Sequence, residues 1–321
     1  MLEKERKNLG RVAAPGILLV LLTALISGVS TFVNFYAVQG TNSDAFIAVR
    51  NVAVAAMLVP MVFLAGRGMR ARLGRADWLR LGTIGLIGGA IPFLLFFRGL
   101  QMAGTAGAAT ASFGYRTLFL MATVLGVVYL KEKFSARVAL AAGLLLAGNL
   151  LLLSLNAPVW TDGTVLVLIA TALWAGEYTL SKRALRELPS GTVALGRMGF
   201  GGLFLMAYLG LTGQFASVAG FSGAQWQWLG ISAVLLVAFV STWYAGLKTV
   251  DVSTATSALL LAFPITWALG FLAERSTFTA AQAAGVVAIV FGVAFAVGVA
   301  SLRDSWKYVV LRVKSRVART E

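Results

Sequence analysis

Five charged residues fall inside otherwise apolar stretches of this sequence: Arg50 in FIAVRN, Arg98 in FFRGLQ, Arg116 in GYRTLF, Glu177 in WAGEYT and Arg197 in ALGRMG. Charge at the centre of a bilayer costs about 2.5–3.5 kcal/mol on insertion scales, so each of these needs a partner or a wet cavity. Four cations against one anion favour an organic solute bearing a carboxylate or phosphate. Any arginine spent on backbone carbonyls weakens that inference. Rings stand close by in sequence: Trp174 and Tyr178 are i, i+4 neighbours around Glu177, Tyr115 adjoins Arg116, and Trp243, Tyr244, Phe263 and Trp267 lie further on. Such rings suit an amphipathic substrate through apolar contact plus a hydroxyl or indole donor, and equally suit plain helix packing. With no Cys and no His, disulfides, thiolate zinc sites, iron–sulfur clusters, cysteine nucleophiles and imidazole chemistry are all excluded, and neither a metal nor a cofactor is expected.

The elements that must position these groups follow from composition. Of 321 residues 59% are hydrophobic and 12% charged, about half the charge of a typical soluble domain. Apolar stretches long enough for a membrane helix recur ten times, near 15–38, 44–65, 78–100, 104–129, 135–155, 162–185, 190–212, 226–249, 253–273 and 277–300. The expected fold is therefore all-α and membrane-spanning, with both termini on one side. Twenty-two of the 27 Lys and Arg residues fall on that side, four lie within spans, and Arg275 alone falls opposite. Basic residues mark cytoplasmic loops, so both termini are expected in the cytoplasm and the chain in the plasma or inner membrane. The formal charge of +15 is then an orientation signal, and no nucleic-acid partner is expected. The first apolar stretch is too long for a signal h-region and is expected to remain in the fold. Residues 1–14 read as a cytoplasmic tail. Residues 301–321 read as a basic tail that is either disordered or an interfacial helix with Trp306, Val310, Val313 and Val317 on one face.

The chain is written twice. TALISGVST at 23–31 matches TALWAGEYT at 171–179 at five of nine positions, and Arg50 corresponds to Arg197 at nearly the same offset. Trp78 and Trp228 head the third and eighth spans. RGLQ resembles AGLK at 245–248, and Glu132 of LKEK resembles Glu274 of LAER. The repeats cover 15–155 and 162–300. Five spans each force the second copy to enter the bilayer inverted, the architecture of many secondary transporters.

In these features the chain resembles the EamA branch of the drug/metabolite transporter superfamily. An Arg lies early in the second span of each half, a Glu follows each fourth span, and a small-residue helix ends each half (FSARVALAAGLLLAGNLLLL and FTAAQAAGVVAIVFGVAFAV). Ile26 departs from the pattern where the second half has Trp174, and Arg116 is an additional charge. The resemblance implies a transporter of small metabolites, often an exporter of amino acids or related compounds.

Glu177 and Arg197 each lie about 11 Å from the cytoplasmic ends of their spans. Adjacent helices would present them at one depth, as a structural ion pair or as a pair in which Glu177 takes up a coupling proton. Arg50 and Arg98 lie in the outer third of their spans, within snorkelling reach of the surface. Arg116 is deep and must face a cavity or cap carbonyls. Pro92 and Pro264 fall mid-span as candidate kinks and hinges, and AGTAGAATASFG at 103–114 is fit for close helix contact. The expected function is secondary transport by alternating access around a central cavity, most simply export of carboxylate-bearing metabolites. A phosphorylated-metabolite or drug exchanger is the alternative within transport, and a non-transporting scaffold or sensor the alternative outside it. A single deep carboxylate, with no His, Cys or GxxxxGK[ST] loop, argues against an enzyme and against ATP-driven transport. The expected partners are a small-molecule substrate, the lipid bilayer and protons; oligomeric state is not encoded legibly, and a monomer is compatible.

Overall fold

The computed structural model describes residues 2–37, 41–64, 73–153, 160–274 and 279–298. Among these, every regular element is a helix, and ten segments from Pro15–Asn34 to Ala280–Val297 are long and apolar enough to cross a bilayer. In the first half, α1 (Leu2–Ala37) and α2 (Ser43–Leu64) are followed by α3 (Arg75–Ile84). A π-helical turn over Gly85–Ala90 then leads into α4 (Ile91–Arg116), α5 (Leu118–Leu130) and α6 (Ala136–Leu153). The second half comprises α7 (Asp162–Ala184), α8 (Ser190–Leu211), a short α9 (Ala216–Ala219) and α10 (Gly223–Leu247). It ends with α11 (Val252–Leu259), α12 (Ala262–Glu274) and α13 (Ala280–Val297). Residues 2–14, read above as a tail, continue the first helix. The tail at 301–321 lies outside the described residues, as do Arg67, Arg70, Arg72 and Arg275 of the orientation signal.

Local sequence sets the helix starts of the second half. Thr161, Ser222 and Thr279 each accept from the backbone N–H three residues on, and Thr164, Gln225 and Gln282 accept in return from the cap's own N–H, at 2.7–3.3 Å. These reciprocal boxes satisfy donors that apolar side chains cannot. The packing then shows the duplication. α1 lies against α10, α11 and α12, while its counterpart α7 lies against α4 and α5. α2 pairs with α8, and α6 with α13. Exchanging each span of one half for its equivalent in the other maps this pattern onto itself, as two inverted five-helix repeats require. Small residues allow the contacts. A Cβ on Gly99 would lie 2.7 Å from the Gly163 carbonyl oxygen, and one on Gly246 would lie 3.0 Å from that of Gly16, its repeat equivalent.

Three backbone features depart from uniform spans. Helical geometry runs through Ile91–Arg116, yet the rings of Phe96 and Tyr115 are 5.0 Å apart. A straight helix would separate those residues by about 28 Å, so the chain doubles back between them and the third and fourth spans lie side by side. The fourth span is interrupted at Thr117, and the ninth at Leu260 and Leu261 between α11 and α12. The third carries the π turn. Pro92 is the second residue of α4 and Pro264 the third of α12. Both prolines thus follow a break, where a missing N–H costs little.

Candidate functional site

Glu177 and Arg197 form the ion pair expected from their depth, but not between two helices packed face to face. They meet across the π turn. Glu177 is fully buried on α7 and its Oε2 lies 3.7 Å from Arg197 Nε on α8. Its Oε1 accepts from Ser181 Oγ at 2.5 Å and from Tyr244 OH on α10 at 2.7 Å. Gly88 passes between the partners: a Cβ there would stand on the Glu177 side chain and 3.1 Å from Arg197 Nε. The Gly88 carbonyl stands four residues before Pro92, which has no N–H to donate to it, and side chains bond to it and to the next carbonyl. Arg197 Nη2 and Trp174 Nε1 both donate to the Gly88 carbonyl at 3.1 Å, and Asn51 Nδ2 donates to that of Gly89 at 2.9 Å. One irregular turn thereby gathers α2, α7 and α8.

Arg50 occupies on α2 the place that Arg197 has on α8, with different surroundings. It is 3% exposed, so it does not snorkel. Its Nη1 lies 3.5 Å from Ser232 Oγ, which donates to Asn34 Oδ1 at 2.6 Å, and its guanidinium sits 5.4 Å from the centre of the Phe93 ring. Its Nε and Nη2 are buried without a hydrogen-bond partner. Among the described residues no carboxylate lies within salt-bridge distance of it. The difference between the halves is legible in the sequence: the position equivalent to Glu177 is Val29.

Between these charges, where a wet cavity was expected, the structure places rings in contact. Trp174 touches Phe93 and Phe96 at 5.4 Å each and Tyr115 at 5.5 Å, and Tyr115 reaches Phe263 at 5.9 Å. Tyr178 and Trp243 pair at 4.6 Å. Arg116 closes the row, with its guanidinium 4.2 Å from the centre of the Phe263 ring and its Nη1 donating to Asn149 Oδ1 at 3.0 Å; its Nε is unpartnered. Arg116 therefore caps a side-chain amide and no carbonyl. A hollow of about 280 Å³ opens elsewhere, on the flank between α3 and α8, lined by residues such as Trp78, Leu81, Gly199 and Leu203.

Trp267 packs against the same core as these rings and stacks on Phe271 at 6.0 Å. Arg98 keeps a half-exposed side chain, which meets Asp44 Oδ2 at 3.4 Å and donates to the Tyr208 hydroxyl. Asp44 is itself buried and paired rather than open to water. Sequence reading missed Asn51, Ser181, Ser232 and Asn149. The small polar residues carry no charge to mark them in an apolar span, and nothing in GLIGGA spells a π turn.

Glu132, which equates with Glu274 in the other repeat, caps a helix. It accepts from the backbone N–H groups of Val252 and Ser253 at 2.6 and 3.1 Å and from Ser253 Oγ at 2.8 Å. A carboxylate at that end of α11 meets unpaired donors and the positive end of the helix dipole. The contact ties the first repeat to the second at the start of the ninth span.

Ten spans in two inverted repeats, with broken helices and buried charge where the halves meet, define the inverted-repeat class of membrane transporters. The EamA-like transporter family model matches twice, over residues 14–154 and 161–298, and the chain belongs to that family. No curated protein matches by sequence. A solved crystal structure of a protein shares the fold at TM-score 0.72 and 18% identity, covering 88% of this chain and 96% of that one.

Proposed function

We propose that this transporter exports small organic metabolites bearing a carboxylate, amino acids or related compounds, across the plasma or inner membrane with both termini in the cytoplasm. The observation that carries the reading is Arg50: a buried guanidinium with two unpartnered nitrogens and, among the described residues, no carboxylate within salt-bridge distance. Its equivalent in the other repeat is neutralised by Glu177. An uncompensated buried charge is costly, and a substrate carboxylate supplies on the first repeat what Glu177 supplies on the second. The ring cluster accounts for an organic body on the solute. The filled centre fits an occluded member of an alternating-access cycle, in which the breaks near Pro92 and Pro264 act as hinges.

Flux in proteoliposomes tests this. Internal radiolabelled amino acids and monocarboxylates are expected to leave through the wild-type protein and to be retained by Arg50→Gln, while Arg98→Gln, whose charge is half exposed, is expected to lose far less. No flux of any solute would return the scaffold reading, and equal tolerance of both variants would remove Arg50 from binding. The proposed coupling ion is a proton that Glu177, ionised in its pair with Arg197, takes up at another step of the cycle; this buried acid faces both Arg197 and Tyr244. Glu177→Gln is then expected to fold and to lose acceleration of flux by an imposed pH gradient. A gradient response equal to wild type would overturn coupling at this residue.

A further inference from the structure

The reading above uses one of two uncompensated arginines. Arg116 is the second, and it lies where the repeat architecture points most strongly to ligand binding. It is the last residue of α4, at the break of the fourth span, and its guanidinium covers Phe263, next to the break of the equivalent ninth span. Paired interruptions in equivalent spans are where inverted-repeat transporters build their substrate sites. The side chain is half-buried, its Nε is buried without a partner, and no carboxylate of the described residues lies within salt-bridge distance. Asn149 satisfies one nitrogen with a neutral oxygen, which leaves the charge itself unbalanced.

Charge bookkeeping inside the bundle separates four arginines into two kinds. Arg197 has Glu177 and Arg98 has Asp44. Arg50 and Arg116 have no acid among the described residues, and they sit at the two ends of a path of neighbouring rings through Phe93, Trp174, Tyr115 and Phe263. A residual charge of two at two separated points is balanced by a solute with two separated anionic groups. We infer that the preferred substrate carries two such groups, as a dicarboxylate does, with Arg50 receiving one carboxylate and Arg116 the other across the ring cluster. This rests on the carboxylate reading of Arg50 and adds a second point of recognition; Arg116 becomes the residue that sets preference for dianions over monoanions.

The test is competition in proteoliposomes and thermal shift of the purified wild-type protein with matched probes: butyrate against succinate, glutarate and adipate, with glycerol phosphate as a dianion whose charges share one group. One charge-assisted interaction more is worth about ten-fold in affinity or greater. The expected result is that one dicarboxylate of the length series outcompetes butyrate by that factor. The ratio is expected to collapse towards unity in Arg116→Gln and to persist in Arg116→Lys. Equal affinity of wild type for butyrate and for all three dicarboxylates overturns the inference and leaves the Arg50 reading standing. Failure of every carboxylate to bind overturns both. Glycerol phosphate matching the best dicarboxylate overturns the two-point geometry, and so does an Arg116→Gln variant that weakens butyrate and dicarboxylate in equal proportion. The wild-type series decides the matter even where a variant fails to fold.

Discussion

Arg197→Met is expected to destabilise the protein by about 3–5 kcal/mol, and adding Glu177→Leu is expected to recover most of that loss. The size follows from leaving one member of a buried pair without its partner, which costs far more than replacing both by apolar groups of similar volume. Glu177 would keep its bonds from Ser181 and Tyr244, yet two hydroxyl donors do not neutralise a carboxylate that is fully buried. Glu177→Leu alone is expected to be at least as damaging, because Arg197, buried and without another carboxylate of the described residues in reach, would be left uncompensated. Recovery in the double variant is expected to be incomplete, since Arg197 also donates to the Gly88 carbonyl. Unfolding of the four proteins in one detergent, by heat or denaturant, gives the cycle. Losses that simply add would mean that the two side chains are not energetically coupled, and the pair would cease to be the joint of the site.

Much of this architecture is written in the sequence. Hydropathy marks the spans because a bilayer demands some twenty apolar residues at a time, and the TALISGVST and TALWAGEYT match exposes the duplication. The depth of Glu177 and Arg197 could be counted from span ends, since helical rise is constant. What depends on backbone pairing could not be read. Phe93 and Phe96 were two of twenty phenylalanines until the reversal within α4 brought Phe96 to Tyr115. Asn51 follows Arg50 directly, but its role needs the Gly89 carbonyl, which the π turn before α4 brings within reach of α2. Phe263 owes its contact with Tyr115 to its place just after the interruption of the ninth span, and nothing in LLLAFPITW marks where that interruption falls. Arg50 looked able to reach the surface by count, and packing buried it.

Gly88→Ala tests whether that π turn holds the site together. In an ordinary helix interior glycine is worse than alanine by roughly 0.5–1 kcal/mol, so the substitution is stabilising wherever space permits. Gly143 on α6 has that space, with nothing within 4 Å of an added Cβ, and Gly143→Ala is expected to hold or raise stability. At Gly88 the same methyl would fall on the Glu177 side chain and within 3.1 Å of Arg197 Nε. Neither side can yield easily. Moving the turn breaks the bonds from Trp174 and Arg197 to its carbonyl, and moving Glu177 breaks those from Ser181 and Tyr244. The expected cost is about 1–3 kcal/mol, the usual penalty of overpacking, together with loss of flux, because the strain is delivered to the ion pair itself. Thermal unfolding and efflux of Gly88→Ala beside Gly143→Ala separate this from any general effect of adding a methyl group. Should Gly88→Ala match its control in both measurements, the turn would be a tolerant connection between α3 and α4, and the convergence of α2, α7 and α8 on its carbonyls would have to be held by other contacts.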